Sequence, residues 1–347
     1  MTGGPLWALS AARIKQFLRE PGALFWTFGF PLLITVALGI AFRNQGPTKS
    51  QIAVLEGPGA TTVAATLADD SGIVVTIVDP ERAAKRLGAG EVVLIVVPPA
   101  TPGAPFVYRY DPSRPDALAA RRLVDERLQR GAGRRDPLSI RDETVVARGS
   151  RYVDWLVPGL LGMQLLNGAM WGAAFNIVNA RQRKLLKRLA ATPMRRSDYL
   201  LSFRVSGLVF VPIQVLVLFA FAHLTFGVTI HGSPVAALAL ALLGSWSFAG
   251  LGLLCASRAQ NSETANGLIN LITLPMMVLS GVFFSSSRFP AILQPAIRLL
   301  PMSAFNEALR HVVNDGASIF SQGFPLAVLV GWALCTSVLA VRIFRWT

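Results

Sequence analysis

Residues 205–257 read VSGLVFVPIQVLVLFAFAHLTFGVTIHGSPVAALALALLGSWSFAGLGLLCAS, a stretch without one Asp, Glu, Lys or Arg. The segment Gly227–Pro234 punctuates it and leaves two apolar runs, Val205–Phe226 and Val235–Ser257. Each has the roughly 20 apolar residues that a helix needs to cross the hydrocarbon core of a bilayer. Working outward, four more charge-free runs follow the same rule: Ala23–Phe42, Trp155–Val178, Thr264–Ser287 and Phe324–Val341. Core helices of a soluble protein are shorter and show a polar face. The expected fold is therefore an α-helical polytopic membrane protein with six transmembrane helices. A small α/β extracytoplasmic domain is expected between spans 1 and 2.

Composition agrees. The 347 residues are 52% hydrophobic and 15% charged, against about 25% charged in soluble domains, and mean hydropathy is +0.50. This excludes a disordered chain, a disulfide scaffold and an ordinary cytosolic enzyme. The net charge of +14 invites a nucleic-acid reading, but such a footprint needs cations spread over a folded face. Cys255 and Cys335 both lie in apolar runs, where free buried thiols are common. A bridge between them stays open, and their spacing offers no metal site.

Short-loop Lys and Arg set membrane orientation. Arg13, Lys15 and Arg19 precede the first span; Arg181, Arg183, Lys184, Lys187, Arg188, Arg195, Arg196 and Arg204 follow the second; Arg342 and Arg345 close the chain. By parity these segments share one side with Arg258, which places both termini in the cytoplasm. Together they hold eleven of the fourteen net positive charges. A secretory signal has an apolar region of about 7–15 residues; the first run is longer, so it is expected to remain as a span. The expected organisation is a cytoplasmic amphipathic helix (1–22), span 1 (23–42), the extracytoplasmic domain (43–152), span 2 (153–178) and a cytoplasmic loop (179–204). Spans 3–5 (205–287), an external re-entrant or interfacial hairpin (288–323), and span 6 with a cytoplasmic tail (324–347) complete it.

The insertion at 43–152 holds 16 Lys+Arg and 13 Asp+Glu, the charge density of a soluble domain. Gln51–Leu55, Ile73–Val78, Val92–Val97 and Phe106–Tyr110 are rich in Val and Ile and read as strands. Ala60–Asp70, Pro80–Leu87 and Pro115–Gln129 read as helices, the second opened by Asp79 and Pro80. Leu138–Ala147 is a candidate last strand.

Catalytic chemistry is not visible. The glycine-rich run at Gly57–Thr62 lacks the lysine of a phosphate-binding loop, and His223, His231 and His311 are not spaced as metal ligands. Ser285, Ser286 and Ser287 read as a helix cap. Only Asp154 and His223 bring ionisable groups near the spans, where ion-coupled carriers keep several, so the energy source is expected outside the chain. The cytoplasmic stretch Asn179–Ala191 reads NARQRKLLKRLAA. As a helix it has a narrow stripe of Leu185, Leu186 and Leu189 among cations and ends at Pro193. Charge pattern alone admits two readings, a helix lying on anionic headgroups and a docking helix for a partner. Residues 5–20 read as an interfacial amphipathic helix with Trp7, Ile14 and Leu18 on one face. Gly168 and Gly172 form a GxxxG pair, and Pro31, Pro158, Pro212 and Pro275 lie within spans. Glu307 and Arg310 are spaced to pair on the external hairpin.

Lys187–Met194 (KRLAATPM) and Ser197–Leu201 (SDYLL) resemble the loop after the second span of type-2 ABC-transporter permeases. Leu274-Pro275, Ser280–Phe284 (SGVFF), Phe289-Pro290, Leu300-Pro301 and Ala308–Arg310 (ALR) resemble that family's C-terminal signature in order and spacing. The plan of spans is similar to the bacterial drug-export branch. The resemblance implies a permease subunit of an ATP-driven exporter in the bacterial plasma (inner) membrane. It implies a separate cytoplasmic ATPase subunit that binds ATP and Mg, a second permease chain as homodimer or heterodimer, and contact with the lipid bilayer and a periplasmic adaptor. Neither a cofactor nor catalysis in this chain, nor a nucleic-acid partner, is expected. Arg181, Arg183, Lys184, Leu185, Lys187, Arg188, Leu189 and Pro193 would form the coupling surface. Gly168, Gly172, Pro275, Gly281 and Phe283 would line the transport path or the dimer contact. The sequence departs from the family where Glu-x-Glu-x-Gly-Thr is common: here stands Ala180–Leu185 (ARQRKL). Drug, antibiotic, lipid, glycan and ion exporters share the plan. An ion-coupled secondary transporter and a membrane-anchored sensor with a ligand-binding external domain are the alternatives.

Overall fold

Prolines open several helices of this chain and interrupt others, and the architecture follows from how each interruption is absorbed. The computed structural model describes residues 4–42, 49–70, 72–99, 101, 104–134, 149, 151–192 and 194–344. It divides into two units, 1–43 with 146–347, and 44–145.

In the larger unit, α1 (Pro5–Leu18) begins with proline at its first turn, where the missing N–H costs nothing. α2 (Pro21–Ala41) contains a π-helical stretch, Phe25–Gly29. Pro31 has no N–H to offer the carbonyl of Thr27, and the Gln164 side chain donates to that carbonyl instead. A neighbouring helix thus answers the gap, as a low-dielectric surround requires.

The smaller unit holds β1 (Ser50–Leu55), α3 (Ala60–Ala68), β2 (Ile73–Val78), α4 (Pro80–Gly88), β3 (Leu94–Val97), β4 (Val107–Arg109) and α5 (Pro115–Gly131). The sheet order is β2-β1-β3-β4. β1 runs parallel to β2 and β3, with Ile52 opposite Val75 and Leu94, and β4 is antiparallel to β3. Strand alternation sends Ile52 and Val54 into a core with Leu67 and Val124 on one face, and Ala53 and Leu55 into a core with Ala83 on the other. Asp79 caps α4 by accepting the Arg82 N–H at 2.8 Å. The expected strand Leu138–Ala147 lies outside the described residues.

The chain then returns to the larger unit. α6 covers 152–182, α-helical over Tyr152–Met170 and Asn176–Gln182 and π-helical over Trp171–Phe175. A short α7 (Leu185–Ala190), α8 (Arg196–Phe226), α9 (Pro234–Arg258) and α10 (Ser262–Leu279) follow. α11 (Gln294–Leu299), α12 (Pro301–Val313) and α13 (Gly323–Ile343) complete it. α9 sits centrally, packed on α6, α8, α12 and α13. Its glycines permit close approach: a Cβ at Gly252 would stand 2.5 Å from the Ala169 carbonyl oxygen, and one at Gly244 2.5 Å from the Phe305 ring. Phe248 and Phe305 meet edge to face at 5.8 Å in the core.

Among the described residues four helices are long and apolar enough to cross a membrane: Pro21–Ala41, Ser197–Phe226, Pro234–Arg258 and Gly323–Ile343. The expected run Thr264–Ser287 is helical only to Leu279, because Ser280 and the left-handed Gly281 (φ 72°) turn the chain. Ser285 accepts the Ser287 N–H and opens a short 3-10 turn, the capping role expected of it. Glu307 and Arg310 do not pair: Glu307 is exposed, whereas Arg310 is buried and turned into the bundle.

Two measurements check this account. Gly252→Val should destabilise the chain by about 1–3 kcal/mol through overpacking, whereas Gly267→Ala, with nothing within 4 Å of its Cβ, should not lower the thermal midpoint in detergent. In the smaller unit, the Gly72 N–H at 2.8 Å and Arg127 hold the Asp70 carboxyl below its usual range. Its stabilisation is complete above the unfolded value of about 4 and fades as pH falls through the lower folded value. Asp70→Asn should therefore flatten the acid-side loss of hydrogen-exchange protection in β2; an unaltered pH profile contradicts the assignment.

Candidate coupling surface and transport face

The basic loop does not form one helix. Arg183 N–H donates to Asn179 and Lys184 N–H to Arg181, both at 3.0 Å, closing the last turn of α6. Lys184 then adopts a left-handed conformation (φ 57°), the one non-glycine to do so among the described residues. That costs on the order of 1 kcal/mol and redirects the chain into α7. Leu186 is 1% exposed and pins α7 to the bundle; Leu189 is half-buried. Arg183, Lys184, Leu185, Lys187 and Arg188 face outward, and none of these cations has an ion-pair partner among the described residues. Four positive charges thus surround one exposed leucine.

Arg181 belongs elsewhere. Its Nη1 donates to the Ala256 carbonyl at 3.0 Å and to that of Ala259, and its guanidinium lies 5.7 Å from the Phe344 ring. It caps the C-terminus of α9, where carbonyls lack helical partners and positive charge is favoured. Ser262 donates to Gln182 at 3.0 Å, tying the start of α10 to the same corner. α1 docks nearby: Arg13 Nε donates to Ser202 at 2.9 Å, and the guanidinium stacks 3.2 Å from the Phe203 ring centroid. Pro193 lies outside the described residues.

The residues expected on the path separate into two groups. Gly168 and Gly172 have nothing within 4 Å of a Cβ position. With Trp171 (39% exposed) and Phe175 (37%) they form an open face that runs from the last α-helical turn before the π-helical part of α6 into that part. α10 packs beside it and exposes Pro275, Leu271, Leu274 and Val278. Gly281 is buried at the turn that ends α10, and Phe283 is half-buried against the main core. Asp154 is paired with Arg151 at 2.8 and 3.0 Å, and Arg151 also donates to the carbonyls of Phe226 and Gly227 at the end of α8. His223 shares a hydrogen bond of 2.9 Å with the Val228 carbonyl. The capping roles of Arg151, Arg181 and Arg310 are not legible in the sequence.

A profile described as ABC-2 family transporter protein matches residues 21–342. The linearmycin resistance permease protein LnrN of Bacillus subtilis (strain 168) is 26% identical over 180 residues, 51% of this chain and 46% of that protein. The daunorubicin resistance ABC transporter permease protein DrrB1 of Streptomyces coeruleorubidus is 27% identical over 101 residues, 29% of this chain and 34% of that protein. The aligned stretches thus span less than half the length of either relative.

The split between inward and outward cations is testable. Arg181→Gln removes charge-assisted bonds of about 1.5–3 kcal/mol and should lower the thermal midpoint clearly, while Arg188→Gln should leave it within error.

Proposed function

The chain belongs to the ABC-2 family of transporter proteins, and on that premise we propose that it is the permease subunit of an ATP-driven exporter. It works as one of two permease chains in a bacterial plasma membrane, with both termini cytoplasmic. ATP and Mg are bound by a separate ATPase subunit. The observation that carries this reading is the outward surface of Arg183, Lys184, Leu185, Lys187 and Arg188 on a loop anchored to the central helix. Such a surface suits an acidic cleft on a moving partner, and motion received there is passed to packed helices as rigid bodies.

Six spans are part of the proposal. The helix over 152–182 is free of charge from Trp155 to Val178. α10 has 18 residues, about 27 Å at 1.5 Å per residue, near the ~30 Å hydrocarbon thickness. The smaller α/β unit then lies outside the cytoplasm. The open face of Gly168, Trp171, Gly172 and Phe175 beside α10 suits the contact with the second permease chain and the path between them. Relatives named for resistance to linearmycin and daunorubicin support an antibiotic-class molecule as the exported substrate.

Membranes carrying the tagged chain and the proteins of its own cell test the docking. Solubilised wild type should retain an ATP-hydrolysing subunit, and Lys187→Glu with Arg188→Glu should reduce its recovery at least tenfold without changing the amount of chain inserted. Equal recovery with the double variant refutes the docking surface.

A further inference from the structure

Helix α12 and its cap carry three polar side chains four residues apart, Asn306, Arg310 and Asn314, and so on one face. All three are more than nine-tenths buried. Each donates to a carbonyl of another helix or its terminal turn. Asn306 Nδ2 reaches Ser280 at 3.0 Å, and Asn314 Nδ2 reaches Asp154 at 3.1 Å. Arg310 Nε reaches Trp155 at 3.2 Å, and its Nη2 donates to Gly281. Ser303, one turn earlier, donates to the Ser280 hydroxyl at 2.9 Å.

Three of these four carbonyls, those of Asp154, Ser280 and Gly281, want a donor. Pro158 has no N–H to return to Asp154, and Ser280 and Gly281 lie where α10 ends. α6 makes room with two glycines: a Cβ at Gly159 would stand 2.8 Å from the Val282 carbonyl oxygen and 2.9 Å from Arg310 Nη2, and one at Gly162 2.3 Å from Asn306 Oδ1. The guanidinium also lies 3.6 Å from the Trp155 ring centroid. No carboxylate among the described residues forms an ion pair with it. A buried cation held only by neutral acceptors is costly, and such intramembrane charges mark function. Its hold on the end of α10 is a single hydrogen bond, to the Gly281 carbonyl, while Trp155 on α6 supplies its other contacts.

We propose that Arg310, flanked by Asn306 and Asn314, is the positioning residue of an external gate. It joins the outer ends of α6 and α10 through α12, and release of the Gly281 carbonyl lets α10 part from α6. This rests on the permease reading above. Two measurements separate the two ideas. In the purified full chain, Arg310→Lys keeps the charge but loses the fork, and Arg310→Gln loses the charge as well. Both should raise hydrogen exchange at least tenfold in 276–284 and 152–158 and leave α9 unaltered; no rise there, or an equal rise throughout, overturns the tether. In membranes with the ATPase subunit, Ser280→Cys with Ser303→Cys, in a background of Cys255→Ser and Cys335→Ser, should form a disulfide without nucleotide. Its yield should fall several-fold with ATP and vanadate. Equal yields overturn the gate, whereas failure to recover any ATPase subunit counts against the permease reading and leaves the exchange result to judge the tether.

Discussion

Backbone carbonyls without helical N–H partners bind the helices of the larger unit to one another. A bilayer core supplies no water to satisfy them, and hydrophobic burial does little to draw helices together where lipid is as apolar as leucine. Side chains from neighbouring helices therefore meet the need. Gln164 answers Thr27, Asn314 answers Asp154, and Trp332 donates to the last carbonyl region of α11 at Leu299. Three arginines cap three successive helices: Arg151 at α8, Arg181 at α9 and Arg310 at α10. Glycine supplies the other half of the solution, since Gly159, Gly162, Gly244 and Gly252 stand where a side chain would keep these partners apart.

The apolar runs are legible because some 20 residues without a charge suit a helix in hydrocarbon and little else. Five of the six coincide closely with helices. The sixth, Thr264–Ser287, ends early as a helix, because hydropathy does not register that Gly281 adopts a positive φ. In the smaller unit, alternating Val and Ile and the Asp79-Pro80 pair mark strands and a helix start within a few residues. Those signals are local, and the structure formed there is governed by local rules.

The site is less legible. Counting Lys and Arg locates the loop after α6, yet the count treats every cation alike. Arg181 serves as a cap, Lys187 and Arg188 face outward, and no spacing rule distinguishes them. Whether a guanidinium meets water or a carbonyl depends on where another helix ends, which is settled by tertiary packing. Lys184 shows the same limit: its basic neighbourhood reads as helix, and the chain turns there instead. Gly168 and Gly172 have the spacing of a helix contact, and they are glycines left open, while the close approaches within the chain use others.

The placement of Arg151 and Arg181 has a mechanical meaning. They stand at opposite ends of α6, one fastened to the tail of α8 and the other to the tail of α9. A helix pinned at both ends to different neighbours behaves as a tie-rod: it cannot tilt at one end without drawing on the other. A displacement at either end of α6 is consequently felt at the other, where a second guanidinium bolt holds it to a different neighbour.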